Sequence, residues 1–154
     1  MWSYSILLDN NILNDFNDEE IIIILKSIYN HNKLNIDNNL TERQLLHTKI
    51  IRDLDKLDIY RVYLEYYKNK PDKLRTDYYN LLINGNKIDY NTAKNSVDYA
   101  ILKLSWIYDI NFNYTLIKIK ENNYIDKLFE SVLDDPLKIN LKNKLIKDLN
   151  EFIV

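Results

Sequence analysis

The chain has 154 residues, of which 46% are hydrophobic and 29% charged, and this composition predicts one soluble globular domain over residues 1–154. The 23 acidic residues against 21 basic ones give a net charge of -2, so no positive field is available to hold a nucleic-acid backbone. Because cysteine is absent, disulfides, thiolate nucleophiles and zinc–thiolate clusters are excluded, and two histidines leave little room for imidazole chemistry.

Glycine and proline are scarce, with one Gly and two Pro in the whole chain. Tight turns, phosphate-binding loops and many-stranded sheets depend on these residues, so their scarcity favours helices. We predict an all-α fold, a compact bundle of six to eight helices around a central apolar helix, with one β-hairpin as an alternative.

The amino terminus lacks the basic segment and the long apolar core of a secretory signal. The longest wholly apolar run, Ile21 to Leu25, is far shorter than the roughly 20 residues that span a bilayer. We therefore expect a soluble, cytoplasmic protein with no membrane span in this chain. Whether an anchor follows Val154 is left open.

In chain order, the first strong helix signal begins at Asp18, because acidic residues at 18–20 suit the positive end of a helix dipole. Apolar residues then recur at steps of three and four and are predicted to be buried: Ile21, Ile24, Leu25 and Ile28. Thr41 and Gln44 match a capping box that opens a second helix. Its apolar residues form one stripe over about 27 residues, in one long helix or two nearly collinear ones: Leu46, Ile50, Leu54, Leu57, Tyr60, Leu64 and Tyr67.

The pattern after Pro71 predicts a short helix and then the least polar helix of the chain. Pro71 permits a new start, so Asp72 to Leu82 is expected to be helical, and Gly85 to end that helix. Asn91-Thr92-Ala93-Lys94 is expected to begin the next helix. Its apolar residues cover much of the circumference, which indicates a helix surrounded by others: Val97, Ala100, Ile101, Leu104, Ile107 and Tyr108.

The segment from Phe112 to Lys120 is ambiguous. Its imperfect alternation leaves a strand open, which would pair with Tyr4–Leu8, although a single two-stranded pair is only marginally stable. Helix is expected again over Tyr124–Leu133. After Pro136 the last helix presents one apolar face: Leu141, Leu145, Leu149 and Phe152.

Acidic clusters invite a metal-binding or acid–base interpretation. Asp53, Asp55 and Asp58 would lie on one helix, where side chains two residues apart point in different directions. The carboxylate pairs at 126/130 and 134/135 have no second pair near them in the sequence. Solvated helix faces are therefore favoured over a metal site.

Ser27 and His31 lie four residues apart and invite a catalytic interpretation. A catalytic triad also needs an orienting acid and an oxyanion hole, neither of which the pattern supplies. We expect a protein that is not an enzyme, with no catalytic residue, no cofactor and no metal.

Tyrosines alternate with basic residues between Arg52 and Tyr79, where seven basic residues meet six acidic ones. The electrostatic attraction that nucleic acids require is missing there. Tyrosine is enriched in protein interfaces because its ring buries area while its hydroxyl finds a partner. A helix core and a protein-binding surface both remain open for this segment.

The four residues Asn91-Thr92-Ala93-Lys94, ahead of Val97, resemble a degenerate first homology motif of the Bcl family, specifically of the poxviral Bcl-like proteins. An excess of 22 Asn and 22 Ile is similar to that of AT-rich large DNA viruses. The motif's Trp and Gly are replaced by Thr92 and Ala93. A segment similar to the second motif, Trp106-Ile107-Tyr108-Asp109, falls earlier than in the family.

The resemblance implies a Bcl-like bundle that binds a pro-apoptotic death-motif helix in a groove. Lys94 would pair with an acidic residue of that helix, and Ala93 would allow its close approach. Family members with poor motifs inhibit innate immune signalling by binding host adaptors, commonly as dimers, so a homodimer is also open. The residues expected to bind the partner are Leu57, Tyr60, Leu64, Tyr67, Ala93 and Lys94.

The function predicted from the sequence is a non-enzymatic interaction protein, a viral inhibitor of host apoptosis or innate immunity that sequesters a host protein. One alternative is a phage or bacterial immunity or anti-defence protein that blocks a single enzyme. A second alternative is a small enzyme that uses carboxylates and a divalent metal.

Overall fold

The computed structural model describes residues 2–10, 12–66 and 71–153. In these ranges the regular structure is helical, with no β-strand, so the all-α prediction is confirmed. Eight α-helices are described: α1 (Trp2–Asp9), α2 (Asp18–Asn30), α3 (Glu42–Tyr66), α4 (Thr76–Ile83), α5 (Ser96–Leu104), α6 (Asn113–Glu121), α7 (Tyr124–Phe129) and α8 (Pro136–Phe152). Two short 3-10 helices cover Tyr90–Thr92 and Ser105–Asp109.

The chain divides into two units, Met1–Asp55 and Lys56–Val154, which we call the N-terminal and C-terminal units. The N-terminal unit holds α1, α2 and the first part of α3. The C-terminal unit holds the rest of α3 and all later helices. The sequence-based prediction of a single domain over residues 1–154 stays a prediction.

In the N-terminal unit, α2 and α3 are joined at both ends of α2. The Arg43 guanidinium lies 2.8 Å from the Glu19 carboxylate near the start of both helices. The Arg52 guanidinium donates to the carbonyl oxygens of Asn30, His31 and Lys33 at the end of α2. These contacts mean that α2 runs parallel to the first part of α3.

The predicted capping box at the start of α3 is confirmed. Thr41 Oγ1 accepts from the Gln44 amide nitrogen at 3.3 Å, and Gln44 Oε1 accepts from the Thr41 amide nitrogen at 3.1 Å. Asn17 and Glu20 form a second capping box at the start of α2. From Glu42 to Tyr66 the chain is one helix, so the long-helix alternative is the correct one.

The buried faces of α2 and α3 differ from the predicted ones. Ile21, Ile24, Leu25 and Ile28 are only half-buried, and the buried residues of α2 are Ile23, Ser27 and Asn30. On α3, the first half of the predicted apolar stripe is exposed and not buried: Leu46, Ile50 and Leu54. The buried side chains of that half are polar or charged: Thr48, Arg52 and Asp53.

The C-terminal unit is organised around α5, as predicted for the central helix. Seven of its nine residues are buried, and it packs against α4, α7 and the 3-10 helix at Ser105–Asp109. α8 packs against α4, α6 and α7 through Leu141, Leu145 and Leu149, which confirms the predicted face, whereas Phe152 is exposed. Asp135 caps α8, and Pro136 occupies its first turn.

Two predicted helix starts are wrong by several residues. α4 begins at Thr76, because Asp72 instead forms a bridge with Val132. α5 begins at Ser96, because Asn95 caps it by accepting from the Asp98 amide nitrogen. Asn91-Thr92-Ala93-Lys94 therefore precedes the helix that it was expected to begin.

Gly85 ends the short helix as predicted. Its φ of +72° is the left-handed conformation that glycine adopts without strain. The Gly85 amide donates to the Leu82 carbonyl, and the Asn86 amide donates to the Leu81 carbonyl, which together form a Schellman motif.

The β-hairpin alternative is wrong. Residues 113–121 form α6, and residues 4–8 lie in α1. The buried residues of α6 are Thr115, Leu116 and Ile119, a helical spacing that the imperfect alternation of the segment concealed.

Candidate partner-binding surface

The residues predicted to bind a partner lie on the later part of α3 and just before α5. Two tyrosines of α3 fix these helices to each other. The Tyr60 hydroxyl donates to the Lys103 carbonyl at 2.7 Å, and the Tyr63 hydroxyl donates to the Ser96 carbonyl at 2.7 Å. These two bonds join the later part of α3 to both ends of α5.

On α3, the predicted binding residues have different surroundings. Leu57 and Leu64 are seven residues apart on one face and half-buried against the core. Tyr60 is 1% exposed, and burial raises the pKa of its hydroxyl. Its ring stacks on Tyr124 at 5.2 Å, so in this structure it belongs to the core. Tyr67 lies outside the described residues.

Ahead of α5, Ala93 is half-buried against the core and Lys94 is exposed. The Lys94 backbone amide donates to the Asp98 carboxylate at 2.8 Å, which fixes the chain where it enters α5. The Lys94 ammonium makes no hydrogen bond or ion pair with the part of the chain that the structure describes. It is therefore available as an exposed positive charge.

Asp98 is the carboxylate nearest in sequence to Lys94, and its ion pair is with Arg75. The Arg75 guanidinium lies 2.9 Å from the Asp98 carboxylate, which is 2% exposed. Arg75 also pairs with Asp77 at 2.5 Å, and hydrogen bonds to Asp77 and Asp98 raise the pKa of Arg75. The Lys94 ammonium itself forms no ion pair within this cluster.

A second charged cluster anchors the end of the 3-10 helix that follows α5. The Lys56 ammonium lies 2.5 Å from one carboxylate oxygen of Asp109, and the Lys87 ammonium lies 3.0 Å from the other. Lys56 also donates to the Asp109 carbonyl at 2.8 Å. These contacts join Asp109, which follows α5, to Lys56 on α3 and to Lys87 ahead of α5.

Sequence patterns did not single out Lys103, which is buried beneath the tyrosines. Its ammonium lies 3.9 Å from the Tyr63 ring centroid and 5.6 Å from those of Tyr99 and Trp106. Its hydrogen bond goes to the Tyr99 carbonyl at 3.2 Å. Burial lowers the pKa of Lys103 to about 8. Only the surrounding aromatic residues indicated this position in the sequence, and they are spread over α3, α5 and the 3-10 helix that follows α5.

One member of each acidic pair singled out in the sequence forms an ion pair. Asp126 lies 2.6 Å from the Lys142 ammonium, and Asp134 lies 2.7 Å from that of Lys138. Over residues 2–10, 12–66 and 71–153, no three His, Asp or Glu side chains are placed to hold a metal ion.

Ser27 and His31 are engaged with the backbone of their own helix. The Ser27 hydroxyl donates to the Ile23 carbonyl at 2.8 Å. The His31 Nδ1 lies 2.5 Å from the Ile28 carbonyl oxygen. Neither contact joins the two side chains to each other.

A cleft of about 160 Å³ lies between α6, α7 and α8. Ile119, Ile125 and Leu149 line its base, and Lys120 and Asp126 lie at its rim. Its volume falls short of the roughly 300 to 1,000 Å³ of typical small-molecule sites.

Comparisons with protein-family models, curated proteins and solved structures found no match for this chain. Among the described helices, none combines the length and the apolar character needed to cross a membrane.

Proposed function

We propose that this protein is a non-enzymatic inhibitor that binds an amphipathic helix of a host protein on the surface formed by α3 and the chain leading into α5. The exposed ammonium of Lys94, which makes no ion pair with the described residues, carries the proposal. Lys94 lies two residues before Ser96, whose carbonyl binds Tyr63 of α3. The backbone at Lys94 therefore approaches the part of α3 that carries Tyr63 and Leu64.

The neighbouring apolar residues suit such a partner. Leu57 and Leu64 share one face of α3 and are only half-buried, so each has surface left to cover. Helices that dock in grooves present apolar anchors at steps of three, four and seven residues. An acidic residue at one end of those anchors would pair with Lys94, and Ala93 would permit close approach.

In this role the protein acts in the host cytoplasm as a viral inhibitor of apoptosis or of innate immune signalling. The balanced charge of the chain, with 23 acidic and 21 basic residues, favours a protein partner over a polyanion. The resemblance at residues 91–94 to the first Bcl homology motif selects a pro-apoptotic death-motif helix as the first partner to test.

The test is calorimetric titration of the whole chain with a panel of death-motif peptides. We expect a Kd in the micromolar range or below for at least one peptide, and Lys94→Glu to weaken binding about tenfold or more because it places like charges together. Lys120→Glu is the matched control, since Lys120 is exposed on α6 and should leave the affinity unchanged.

Two results would contradict this function. Binding that Lys94→Glu and Lys120→Glu weaken equally would show only general charge attraction. No binding by any peptide at about 100 μM, a range in which weak helix–groove contacts are still measurable, would remove the death-motif partner.

A further inference from the structure

The described part of the N-terminal unit buries mainly polar residues and leaves many large apolar side chains exposed. Among its described residues, the buried apolar side chains are those of Leu13 and Ile23. The buried polar and charged ones are Ser27, Asn30, Thr48, Arg52 and Asp53. Large apolar side chains are left exposed along this unit: Ile6, Leu8, Ile12, Phe16, Ile22, Tyr29, Leu34, Leu46, Ile50 and Leu54.

Three of these exposed side chains form one row on α3, which we call the α3 apolar face: Leu46, Ile50 and Leu54. They are 48%, 37% and 53% exposed and four residues apart, so they lie on one side of the helix. Ile22 extends the face onto α2. The Glu19–Arg43 ion pair joins the two helices, and Ile22 and Leu46 lie three residues beyond these partners on parallel helices.

We propose that the α3 apolar face binds the same face of a second copy of this chain, with the two α3 helices antiparallel. The spacing is self-complementary about Ile50, because Leu46 and Leu54 are each four residues away from it. A two-fold axis near Ile50 then sets Leu46 of each copy against Leu54 of the other. Rows of side chains four residues apart interdigitate in the commonest class of helix packing.

The available area agrees with a dimer of modest affinity. Ile22 and the α3 apolar face leave on the order of 350 Å² of apolar surface exposed in each copy. A standard interface buries about 800 Å² per partner, somewhat more than half of it apolar, or roughly 450 Å². The net charge of -2 gives two copies little mutual repulsion.

Ile50, at the centre of the α3 apolar face, and Lys94 belong to different units of the chain. Leu54 lies three residues before Leu57 on the same helix, so the variants that test the two proposals are made at Ile50 and Lys94 instead. The dimer and the proposed peptide binding can therefore be tested, and can fail, independently of each other. Lys94→Glu is expected to leave the dimer unchanged.

Cysteine cross-linking tests the register directly, because the chain contains no cysteine of its own. Packed helices are 8–10 Å apart, which leaves facing Cα atoms roughly 5 Å apart, within disulfide range. Ile50→Cys is expected to give a cross-linked dimer under mild oxidation. Leu46→Cys and Leu54→Cys are expected to cross-link as a mixture and poorly when each is alone.

Sedimentation equilibrium tests whether the face drives association. We expect the unmodified chain to dimerise with concentration, and Ile50→Glu to weaken the dimer about a hundredfold, because the charge enters the centre of the interface from both copies. Ile139→Glu is the matched control on α8, where Ile139 is 59% exposed. Far-UV circular dichroism checks that both variants keep their helices.

Two results would overturn the dimer, and a third would reject its antiparallel register. A chain that stays monomeric at about 1 mM, well above the affinity expected of such an area, overturns it and leaves the face to a different protein. Equal weakening by Ile50→Glu and Ile139→Glu also overturns it. Efficient cross-linking of Leu46→Cys alone would indicate parallel helices and reject the antiparallel register.

Discussion

Lys103 shows how one buried charge affects the stability of the C-terminal unit. Its ammonium lies among the rings of Tyr63, Tyr99 and Trp106 and makes no ion pair with the described residues. Attraction to the faces of the rings offsets only part of the cost of removing an ammonium from water. Burial accordingly lowers the pKa of Lys103 to about 8 from an ordinary value of 10.5.

The pH dependence follows from this lowered pKa. Between pH 8 and 10.5 the unfolded chain still holds the Lys103 proton while the folded chain has released it. The unfolded state therefore binds more protons, and the contribution of Lys103 to the free energy of unfolding rises with pH in this window. Below pH 8 its full destabilising cost remains.

We predict that Lys103→Met stabilises the protein at pH 7 by on the order of 2–3 kcal/mol, because methionine fills the space without a desolvated charge. The increase in the free energy of unfolding should shrink by about half or more at pH 9.5, where the folded, unsubstituted chain has lost most of its Lys103 charge. Urea unfolding of both proteins at both pH values measures this. Comparing them at equal pH cancels the titration of Tyr60 and Tyr108, whose raised pKa values weaken the fold above pH 10.

Lys147→Met is the control for a lysine at the surface, since the Lys147 side chain is 73% exposed. It should change the free energy of unfolding by less than about 0.5 kcal/mol at either pH. A destabilised Lys103→Met variant at pH 7 would show that contacts with the rings outweigh the desolvation of the ammonium.

At the scale of elements, Arg52 connects two helices through the end of one of them. Its guanidinium donates to the carbonyl oxygens of Asn30, His31 and Lys33, at distances of 3.0, 3.2 and 2.6 Å. The last carbonyls of a helix have no partner within the helix, and the negative end of its dipole attracts a cation. Arg52, which is buried on α3, thus donates hydrogen bonds to carbonyl groups at the end of α2 that have no partner within that helix.

We predict that Arg52→Met destabilises the N-terminal unit by about 3 kcal/mol, because it leaves buried carbonyl groups without their charged donor. Arg52→Lys should recover part of this loss, since the three bonds come from one nitrogen, Nη1, and an ammonium supplies such a donor on a shorter side chain. Arg43→Met is the matched surface control, because the Arg43–Glu19 pair is exposed and worth less than about 1 kcal/mol. Chemical denaturation of the three variants, followed by circular dichroism, ranks their free energies of unfolding. If Arg43→Met lowered the free energy of unfolding as much as Arg52→Met, the role of Arg52 would be refuted.

Sequence patterns were reliable where local chemistry decides the structure. Caps at Thr41 and Gly85 predicted where α3 begins and where α4 ends, because side-chain and backbone hydrogen bonds are local. The start of α5 was misplaced by several residues. The competing cap at Asn95 acts together with an ion pair between Asp98 and Arg75, which is distant in sequence.

The face that each helix buries was harder to predict. Periodicity detects an apolar row, but it does not say whether the row faces the chain's own interior or the solvent. On α3 the row at Leu46, Ile50 and Leu54 is exposed, while Arg52 is buried by its bonds to α2. For the candidate site, the resemblance implied that Leu57, Tyr60, Leu64 and Lys94 bind a partner. The structure leaves Lys94 exposed and Leu57 and Leu64 half-buried, while Tyr60 is a core residue through its bond to α5.

At the scale of the whole molecule, the two units differ in how much apolar surface they bury. In the described part of the N-terminal unit, Leu13 and Ile23 are the buried apolar side chains, whereas the C-terminal unit buries a continuous cluster around α5. Hydrophobic burial contributes roughly 25 cal/mol per Å² of apolar area removed from water. Local opening should therefore cost much less free energy in α2 than in α5 or α8.

Hydrogen exchange followed by mass spectrometry measures this difference. We predict that the amides of α2 exchange at least about tenfold faster than those of α5 and the middle of α8 under native conditions. Repeating the measurement at two protein concentrations adds a link to the α3 apolar face. Association protects the segments that it covers, so a second copy should slow exchange over residues 42–55 at the higher concentration and leave α8 unchanged. Equal protection of α2 and α5 at low concentration would mean that the polar interior of the N-terminal unit, with Arg52 at its centre, stabilises that unit as effectively as an apolar core.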